Sequence, residues 1–367
     1  MSATIVSDLQ VSINGKPLDP QLDLPLLCEV EVDLGVQQQG MIHMQLGAGQ
    51  DASGDWARTL VHTYTPGSPV AVDVRIGDST TRLINGVLTL TKLNFSADIH
   101  DSRFEVTGMD VLEKVKRSHN AQRYQGDLIS IVTQVLGRQN IPLDSSATPS
   151  VANLSESQTD SDLDFLTGLA RNNNCEIYVE SDTSGDTAFF QKLDFDTADS
   201  ISTDLRVNQG SQTNVRNAQF YIDLSGPTRV EANNIDSNGK AAPQKIASDL
   251  RDIPTLSQIE TDLLGDVSFA LISRLNRESK KSVAELQTRC DSELEKAAWV
   301  VVGKGEVDTA AYGDLLFPRR TVNVRGSGSL FEGEYMVWKV THSFKRDVHC
   351  QRFELRRKLG MMLNASS

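Results

Sequence analysis

The chain has 367 residues, a formal net charge of -13 at pH 7 and 39% hydrophobic residues. This length exceeds that of one typical domain, so we expect two or three domains with sizeable hydrophobic cores. A protein that mainly binds nucleic acid needs a basic surface, and the acidic balance without a long lysine or arginine run argues against nucleic acid as a partner.

The cysteines and the first residues indicate a reducing compartment. No two cysteines form a C-x-x-C pair, and most lie among apolar or strand-forming neighbours, which predicts buried free thiols; they are Cys28, Cys175, Cys290 and Cys350. Residues 1–10 lack the basic and apolar segments of a signal peptide. No apolar run approaches about 18 residues, so no membrane-spanning segment is predicted.

Short alternating segments dominate residues 1–117. In Cys28–Leu34, for example, apolar residues alternate with Glu29, Glu31 and Asp33. Similar segments recur around positions 42–46, 70–76, 87–95 and 104–106. Short strands at this density, without intervening helices, predict an antiparallel barrel or sandwich.

Residues 118–205 carry a different pattern, typical of a small α+β domain. Asp127 is the predicted N-cap of a helix that ends at Gly137. A second helix is predicted after Asp160 and ends before Asn173, and a hairpin follows from 177 to 191.

Residues 206–360 return to strands, with helices inserted. A helix is predicted from Ser279 to Ala298, with Leu286, Cys290 and Leu294 among the residues on its apolar face. The polar stretch from 233 to 248 is predicted to be an exposed loop. Residues 361–367 are predicted to be a flexible tail.

The last two strands form a predicted hairpin between residues 333 and 357. Met336, Trp338, Val340 and Phe344 recur at every second position, which places them on one face of a half-buried strand. The segment 348–357 is its predicted partner.

This hairpin resembles an earlier part of the chain. In both places a proline precedes a short strand, a glycine opens a longer strand and an arginine begins the closing strand. The matched residues are Pro66 with Pro318, Gly86 with Gly333 and Arg103 with Arg352. The sequence therefore predicts two similar β domains separated by an inserted unit.

The sequence offers only weak evidence for a catalytic or metal site. The run from Asp160 to Asp164 begins like a calcium loop, but Phe165 and Arg171 replace the glycine and glutamate that such a loop requires. His342, His349 and Cys350 could be imagined as zinc ligands, but adjacent strand residues point to opposite faces. No nucleophile elbow or phosphate-binding loop is present in the sequence, so neither an enzyme nor a cofactor is predicted.

The stretch from 345 to 358 is locally basic. Its cations are Lys345, Arg346, Arg352, Arg356, Arg357 and Lys358. They have two interpretations: a charged strand edge that prevents aggregation, or a docking surface for an acidic protein.

Several short motifs in a fixed order resemble the late control D family of phage tail proteins, which includes baseplate hubs and the N-terminal hub part of VgrG spikes. The motifs are Gly86 with the strand after it, Asp110 with Leu112, the helix after Gly126, and the segment from Ser157 to Ala170; Gly333, Tyr335, Val337, Val340 and His342 complete them, in a G-x-Y-x-V-x-x-V-x-H pattern. The resemblance extends over residues 5–360.

The resemblance implies a mainly β fold with an α+β insertion. Two tube-like antiparallel β-barrel domains, at residues 1–117 and 206–360, would flank the small domain at 118–205. Three chains would form a ring, a structural baseplate hub that joins a hexameric inner tube to a trimeric spike. The signature residues would be structural. The implied partners are a homotrimer, a separate spike protein docking near the last hairpin, tube or tube-initiator proteins and baseplate wedge proteins.

The resemblance also implies a protein made in the bacterial cytoplasm and built into a phage tail or an injection particle, without direct membrane insertion. Two alternatives remain open from the sequence. One is a tail-associated hydrolase of cell walls or polysaccharides. The other is a carbohydrate-binding β module, which exposed aromatic residues on one strand face would favour.

Overall fold

The computed structural model describes residues 7–19, 26–48, 62–98, 101–234, 244–253, 271–275, 283–345 and 348–361, together with positions 256, 261, 264 and 265. The chain is mainly β, as predicted. Within the described residues, no helix is both long enough and apolar enough to cross a lipid bilayer.

In the N-terminal part of the chain, the described residues form seven strands. They are β1 (Ser7–Ile13), β2 (Lys16–Pro17), β3 (Leu27–Gly35), β4 (Met41–Gly47), β5 (Pro69–Ile76), β6 (Ser79–Asn94) and β7 (Arg103–Asp110). Buried and partly exposed residues alternate along β4 and β7, because one face of each strand packs on a core that includes Ile42, Met44 and Phe104.

The middle part combines short strands and helices, as predicted. Its elements are α1 (Leu112–Lys116), β8 (Arg123–Gly126), α2 (Leu128–Gly137), β9 (Leu143–Asp144), β10 (Leu154–Ser157), α3 (Asp162–Asn172), β11 (Glu176–Ser181) and β12 (Asp186–Gln191). Helix α2 begins as predicted, because the Asp127 side chain accepts a hydrogen bond from the Ser130 N–H. At α3 the cap is Ser161, and Asp162 is buried in an ion pair with Arg138 at 3.0 Å.

In the C-terminal part, the described residues include nine strands and two α-helices. They are β13 (Leu205–Arg206), β14 (Val215–Ile222), β15 (Arg229–Asn234), β16 (Gln244–Asp249), β17 (Ile272–Arg274), α4 (Val283–Ala297), β18 (Val301–Asp308), α5 (Thr309–Tyr312), β19 (Thr321–Arg325), β20 (Gly333–Lys345) and β21 (Val348–Arg357). Helix α4 lies inside the predicted range, and Leu286, Cys290 and Leu294 are buried as predicted.

Two local predictions need correction. The predicted loop from 233 to 248 is partly a strand, because β16 pairs with β15 and buries Ile246; residues 235–243 lie outside the described part. All four cysteines are free, as expected, but only Cys290 is buried.

Thirteen strands form one sheet, and two sets of five strands within it have the same order. The first repeat unit has the order β3-β4-β7-β6-β5, and the second repeat unit has the order β14-β18-β21-β20-β19. Every neighbouring pair in both units is antiparallel. The structure therefore contains the repeat that the sequence predicts.

Matching irregularities fix the alignment of the two units. Register shifts fall at Cys28 in β3 and at Arg216 in β14. They fall again at Thr89 in β6 and at Trp338 in β20. Bulges disrupt the ladder at defined positions, so their coincidence in two corresponding strands makes the correspondence specific.

This alignment corrects two of the three matches made from the sequence. Gly86 corresponds to Tyr335 rather than Gly333, and Arg103 corresponds to Cys350 rather than Arg352. Both errors are shifts of two residues. A shift of two leaves every side chain on the same face of the strand, so the hydrophobic pattern cannot detect it.

The third match is confirmed by the backbone. Gly67 and Arg319 follow the matched prolines, and both have positive φ angles, of 95° and 65°. The Gly67 N–H donates to the carbonyl of Leu88, and the Arg319 N–H donates in the same way to Val337.

The bulge at Trp338 also changes the predicted faces of β20. The extra residue reverses the alternation, so Tyr335, Val337 and Val340 all lie in the core of the second repeat unit. Met336 and Trp338 instead pack in a separate small cluster with Trp299. The prediction that placed Met336 and Val340 on one face is therefore wrong, because it assumed an unbroken period of two.

The two predicted barrels are not closed within the described residues. To close, each unit would have to pair its first strand, β3 or β14, with its own long strand, β6 or β20. Instead β3 pairs with β20, and the strand path runs open from β14 to β2. A strand edge offers one set of backbone donors and acceptors, and here that set joins the two units.

Three main hydrophobic cores lie in this framework. One fills the first repeat unit, one packs α2 and α3 against β8 and β12, and the third lies in the second repeat unit and against α4. Phe344 belongs to β20 but packs in the first core, and Leu34 of β3 contacts both β cores. Side chains therefore cross the β20–β3 junction in both directions.

Candidate functional site

The junction between the two repeat units is a candidate functional site. Residues Lys339–Phe344 of β20 pair antiparallel with Val30–Gly35 of β3. The Val36 N–H extends the ladder by donating to the Trp338 carbonyl at 2.8 Å. The junction is thus a continuous β-ladder rather than a contact between two finished domains.

One face of the junction carries a row of opposite charges. Lys339 lies 3.6 Å from Asp33, Lys345 lies 3.4 Å from Glu29, and Arg352 contacts Glu31. The acidic row is the alternating set that the sequence shows in β3, and the strand period places all three carboxylates on one face. The structure thus brings Lys345 and Arg352 to acidic residues of their own chain.

The other basic candidates lie in different surroundings. Lys358 pairs with Glu295 at 3.2 Å, and the Arg356 guanidinium lies 4.7 Å from the centre of the Trp338 ring. Arg357 is 1% exposed, stacks on Tyr335 and donates to the carbonyls of Leu330 and Glu332. Arg357 is therefore not available to a partner. Arg346 lies outside the described residues.

A buried ion pair ties the middle part of the chain to both repeat units. Arg319 donates to both carboxylate oxygens of Glu176, at 2.7 and 2.9 Å, and to the carbonyl of Gly35 at 3.0 Å. Its guanidinium stacks on Tyr178 at 3.7 Å, and Glu176 also accepts from the Gln37 N–H. Bidentate pairs of this kind fix geometry as well as supplying energy.

Gly86 and Asp110 occupy paired positions in β6 and β7. Asp110 accepts hydrogen bonds from the backbone N–H groups of Gly40 and Leu112, at 2.7 and 3.0 Å. Burial raises the pKa of Asp110 to about 6, although these hydrogen bonds act to lower it. Both side-chain oxygens are thus engaged with the backbone, which indicates a structural role.

The close backbone approach at Gly86 leads to a prediction. A Cβ atom at this position would lie 2.2 Å from the Met109 carbonyl oxygen. We expect Gly86→Ala to lower the free energy of unfolding by about 1–3 kcal/mol through this overlap. Gly168 in α3 has no atom within 4 Å of such a Cβ, so Gly168→Ala should instead stabilise by about 0.5–1 kcal/mol. Urea unfolding measures both changes; equal effects would contradict the prediction.

The remaining signature residues lie in β20. Gly333 has a φ of 123°, a conformation that other residues rarely adopt. Tyr335 is fully buried and donates to the Phe331 carbonyl at 2.8 Å, while Val337 and Val340 fill the core of the second repeat unit. These positions therefore shape the strand and its packing.

His342 forms a buried pair with His349. Nε2 of His342 lies 3.1 Å from the Leu316 carbonyl, which can only accept, so this nitrogen carries the proton. Nδ1 of His342 is then an acceptor and lies 3.1 Å from Nε2 of His349, which donates. Cys350 lies on the opposite face near Arg216, so the three residues imagined as zinc ligands do not converge. In the described residues no group of three or more His, Cys, Asp or Glu side chains could hold a metal ion.

Comparison with known proteins identifies the fold. No protein-family model and no curated protein matches the sequence. Among solved structures, the 43 kDa tail protein of prophage MuSo2 from Shewanella oneidensis superposes with a TM-score of 0.70 at 13% identity, covering 96% of this chain and 98% of that chain. A tail protein from Neisseria meningitidis superposes with a TM-score of 0.66 at 12% identity, covering 96% and 97%.

The chain has the fold of phage tail proteins. The E. coli protein c3393, a component of the type VI secretion system with structural similarity to the T4 tail proteins gp27 and gp5, shares this tail-protein fold. It superposes with a TM-score of 0.55 at 14% identity, covering 94% of this chain and 76% of that chain. The resemblance to tail proteins inferred from short motifs is therefore confirmed over 94–96% of this chain, although the predicted closed barrels are not.

The residues that join the parts of this tail-protein fold were not among those predicted from the sequence. Arg319 and Glu176 were not singled out, although Arg319 follows a matched proline at the place where the first unit has Gly67. An arginine in place of a positive-φ glycine was the available signal. The acidic row of β3 was visible, but nothing in the sequence paired it with Lys339, Lys345 and Arg352.

Proposed function

We propose that this protein is a structural baseplate hub of a phage tail or a contractile injection system. In this role three copies form a ring that joins a hexameric inner tube to a trimeric spike. The observation that carries the proposal is the repeat, in which two units with the same strand order and two matching bulges are joined head to tail. Three such chains present six similar units to a sixfold tube and keep threefold symmetry for a spike.

The proposed domains follow from the same architecture. We propose tube-like domains at 1–117 and 206–360 around a small α+β domain at 118–205, with a tail at 361–367. The three main hydrophobic cores support three parts, although Val111, Leu112 and Val115 of the proposed first domain pack in the core of the small domain. Residues 362–367 lie outside the described part.

The proposed partners are a separate spike protein, tube or tube-initiator proteins and baseplate wedge proteins. Among the basic candidates, Lys345 and Arg352 have side chains that are 63% and 53% exposed. Exposed ion pairs contribute little energy, so acidic groups of a spike could replace Glu29 and Glu31 as their partners. The proposed assembly would be made in the bacterial cytoplasm and built into a tail or an injection particle.

A structural role requires no catalysis. Asp110, a buried carboxyl group with a raised pKa, has both oxygens bound to backbone N–H groups, which supports a structural assignment over a hydrolase. Turnover of peptidoglycan or glycan that is lost on mutating one carboxylate would instead establish the hydrolase.

The proposal is tested by assembly. We expect light scattering of the purified chain with its cognate spike to give three copies of the 40.3 kDa chain per trimeric spike. Electron microscopy of the complex should show a ring with six similar units. A chain that stays monomeric and binds neither spike nor tube protein contradicts the proposal.

A further inference from the structure

Two of the strand edges in the described sheet lack a strand partner although each has a partnered equivalent within the same chain. Strand β5 pairs with Ser79–Val87 of β6, and on that side no described strand pairs with Leu90–Asn94. Strand β14 lies at one end of the strand path, and β18 is its single partner among the described strands. Six strands lie between β6 and β14 along the path.

The β20–β3 junction is the internal equivalent of these two edges. In the second repeat unit, β19 pairs with Gly333–Met336 of β20, and β3 pairs with Lys339–Phe344 on the same side. By the bulge alignment, β6 corresponds to β20 and β14 corresponds to β3. The segment Leu90–Asn94 therefore corresponds to 339–343, which is already paired inside the chain.

We propose that β6 of one copy pairs antiparallel with β14 of a second copy, in the register that the chain uses internally. The alignment converts the pairs of the β20–β3 junction into pairs between copies: Leu90 with Asp223, Thr91 with Ile222, Lys92 with Tyr221, Leu93 with Phe220 and Asn94 with Gln219. The interface is head to tail, because it uses two different edges and leaves one of each on every copy. The number of copies, three, rests on the proposed hub function.

The side chains on these two edges favour a second copy of the chain as the binding partner. Leu93 already packs partly against the first β core, and Phe220 and Ile222 pack partly against the second. Pairing β6 with β14 would complete both cores, as Phe344 and Leu34 do at the junction inside the chain.

The side chains on the solvent-exposed face of β6 also fit the proposed pairing. Leu90 is 55% exposed in the single chain and would be covered by the neighbouring strand. The side chain of Lys92 is 58% exposed and would lie diagonally opposite Asp223, within reach of a lysine. Long unpaired strand edges promote association, and this edge is left open where its internal equivalent is closed.

Disulfide trapping tests the register. We would combine Lys92→Cys with Tyr221→Cys, a directly opposed pair at about 5 Å between Cα atoms. The control combines Lys92→Cys with Gln219→Cys, which is shifted by two residues and lies too far for a disulfide. Each single variant reports the background from the four native cysteines. Mild oxidation followed by non-reducing gels measures the products.

We expect covalent trimers from the first pair, at least ten times more than from the shifted pair or the single variants. A protein that is trimeric by light scattering but does not cross-link in this register overturns the interface and leaves the proposed hub function standing. A protein that stays monomeric at all concentrations, even with its spike, overturns both.

An exposed leucine gives an independent test without added cysteines. Leu90→Lys should raise the concentration needed for half assembly at least tenfold, because Leu90 lies in the proposed interface. Leu271 is similarly exposed, at 52%, but lies near a different sheet, so Leu271→Lys should leave assembly unchanged. Equal effects of the two substitutions would overturn the proposal.

Discussion

Replacing Glu176 by glutamine should lower the free energy of unfolding by about 3–5 kcal/mol. The side chains of Arg319 and Glu176 are 10% and 7% exposed, so the substitution leaves a guanidinium charge buried without its carboxylate. The loss should also loosen the attachment of the middle part of the chain, because this pair connects β11 to β3 and to the segment before β19. Urea unfolding, together with hydrogen exchange at Gln37, measures both effects.

The matched control for this substitution is an exposed ion pair. Asp8 and Arg75 lie 3.0 Å apart with side chains about half exposed, and Asp8→Asn should cost less than about 1 kcal/mol. Combining Glu176→Gln with Arg319→Gly should recover part of the loss. The charge is then absent, and glycine adopts the positive φ freely, as Gly67 does in the first repeat unit. If Glu176→Gln costs no more than Asp8→Asn, the buried pair does not stabilise the junction.

Acidification from pH 7 to pH 5 should destabilise the protein through the buried histidine pair. Burial lowers the pKa of His342 from 6.5 to about 4, and burial together with the neighbouring His342 lowers that of His349 further. Between these values and 6.5 the unfolded chain binds more protons than the folded chain. The stability is therefore fully present above pH 6.5 and is lost as the pH falls towards the folded pKa. Each imidazole should contribute about 2 kcal/mol to this loss.

Two variants separate this effect from other titrations. His349→Phe should remove roughly half of the pH dependence, because one of the two imidazoles is gone and the new ring can still stack on Phe344. Asp110→Asn should make the loss steeper. The folded pKa of Asp110 is raised from 3.8, so its contribution is full below pH 3.8 and is lost as the pH rises through about 6, which is the opposite direction. Unfolding curves at pH 5 and pH 7 measure both; a pH dependence unchanged in His349→Phe would contradict the assignment.

Short-range sequence patterns predicted much of the fold. The cap at Asp127 sets the start of α2, and a hydrogen bond from the Ser130 N–H confirms it. The period-two pattern of Cys28–Leu34 correctly separates the buried valines from the acidic row. Such features depend on neighbours a few residues apart, so the sequence alone predicts them.

Other features depend on contacts between distant segments. The bulge at Trp338 places Val340 on the face opposite Met336, against the prediction, and no residue type near Trp338 predicts the bulge. The repeat was visible, but its register was wrong by two residues, because a shift of two keeps the hydrophobic pattern intact. The buried position of Arg357, predicted as a docking residue, likewise follows from the loop carbonyls that fold over it.

The sequence by itself determined the mainly β class, the inserted α+β part and the presence of two related units. Those properties follow from composition, periodicity and turn chemistry along the chain. The tertiary structure alone decided how the units meet: β20 pairs with β3, the basic row lies on the acidic row, and Arg319 binds Glu176. A strand edge can pair with any complementary edge, so only the folded structure shows which two edges pair.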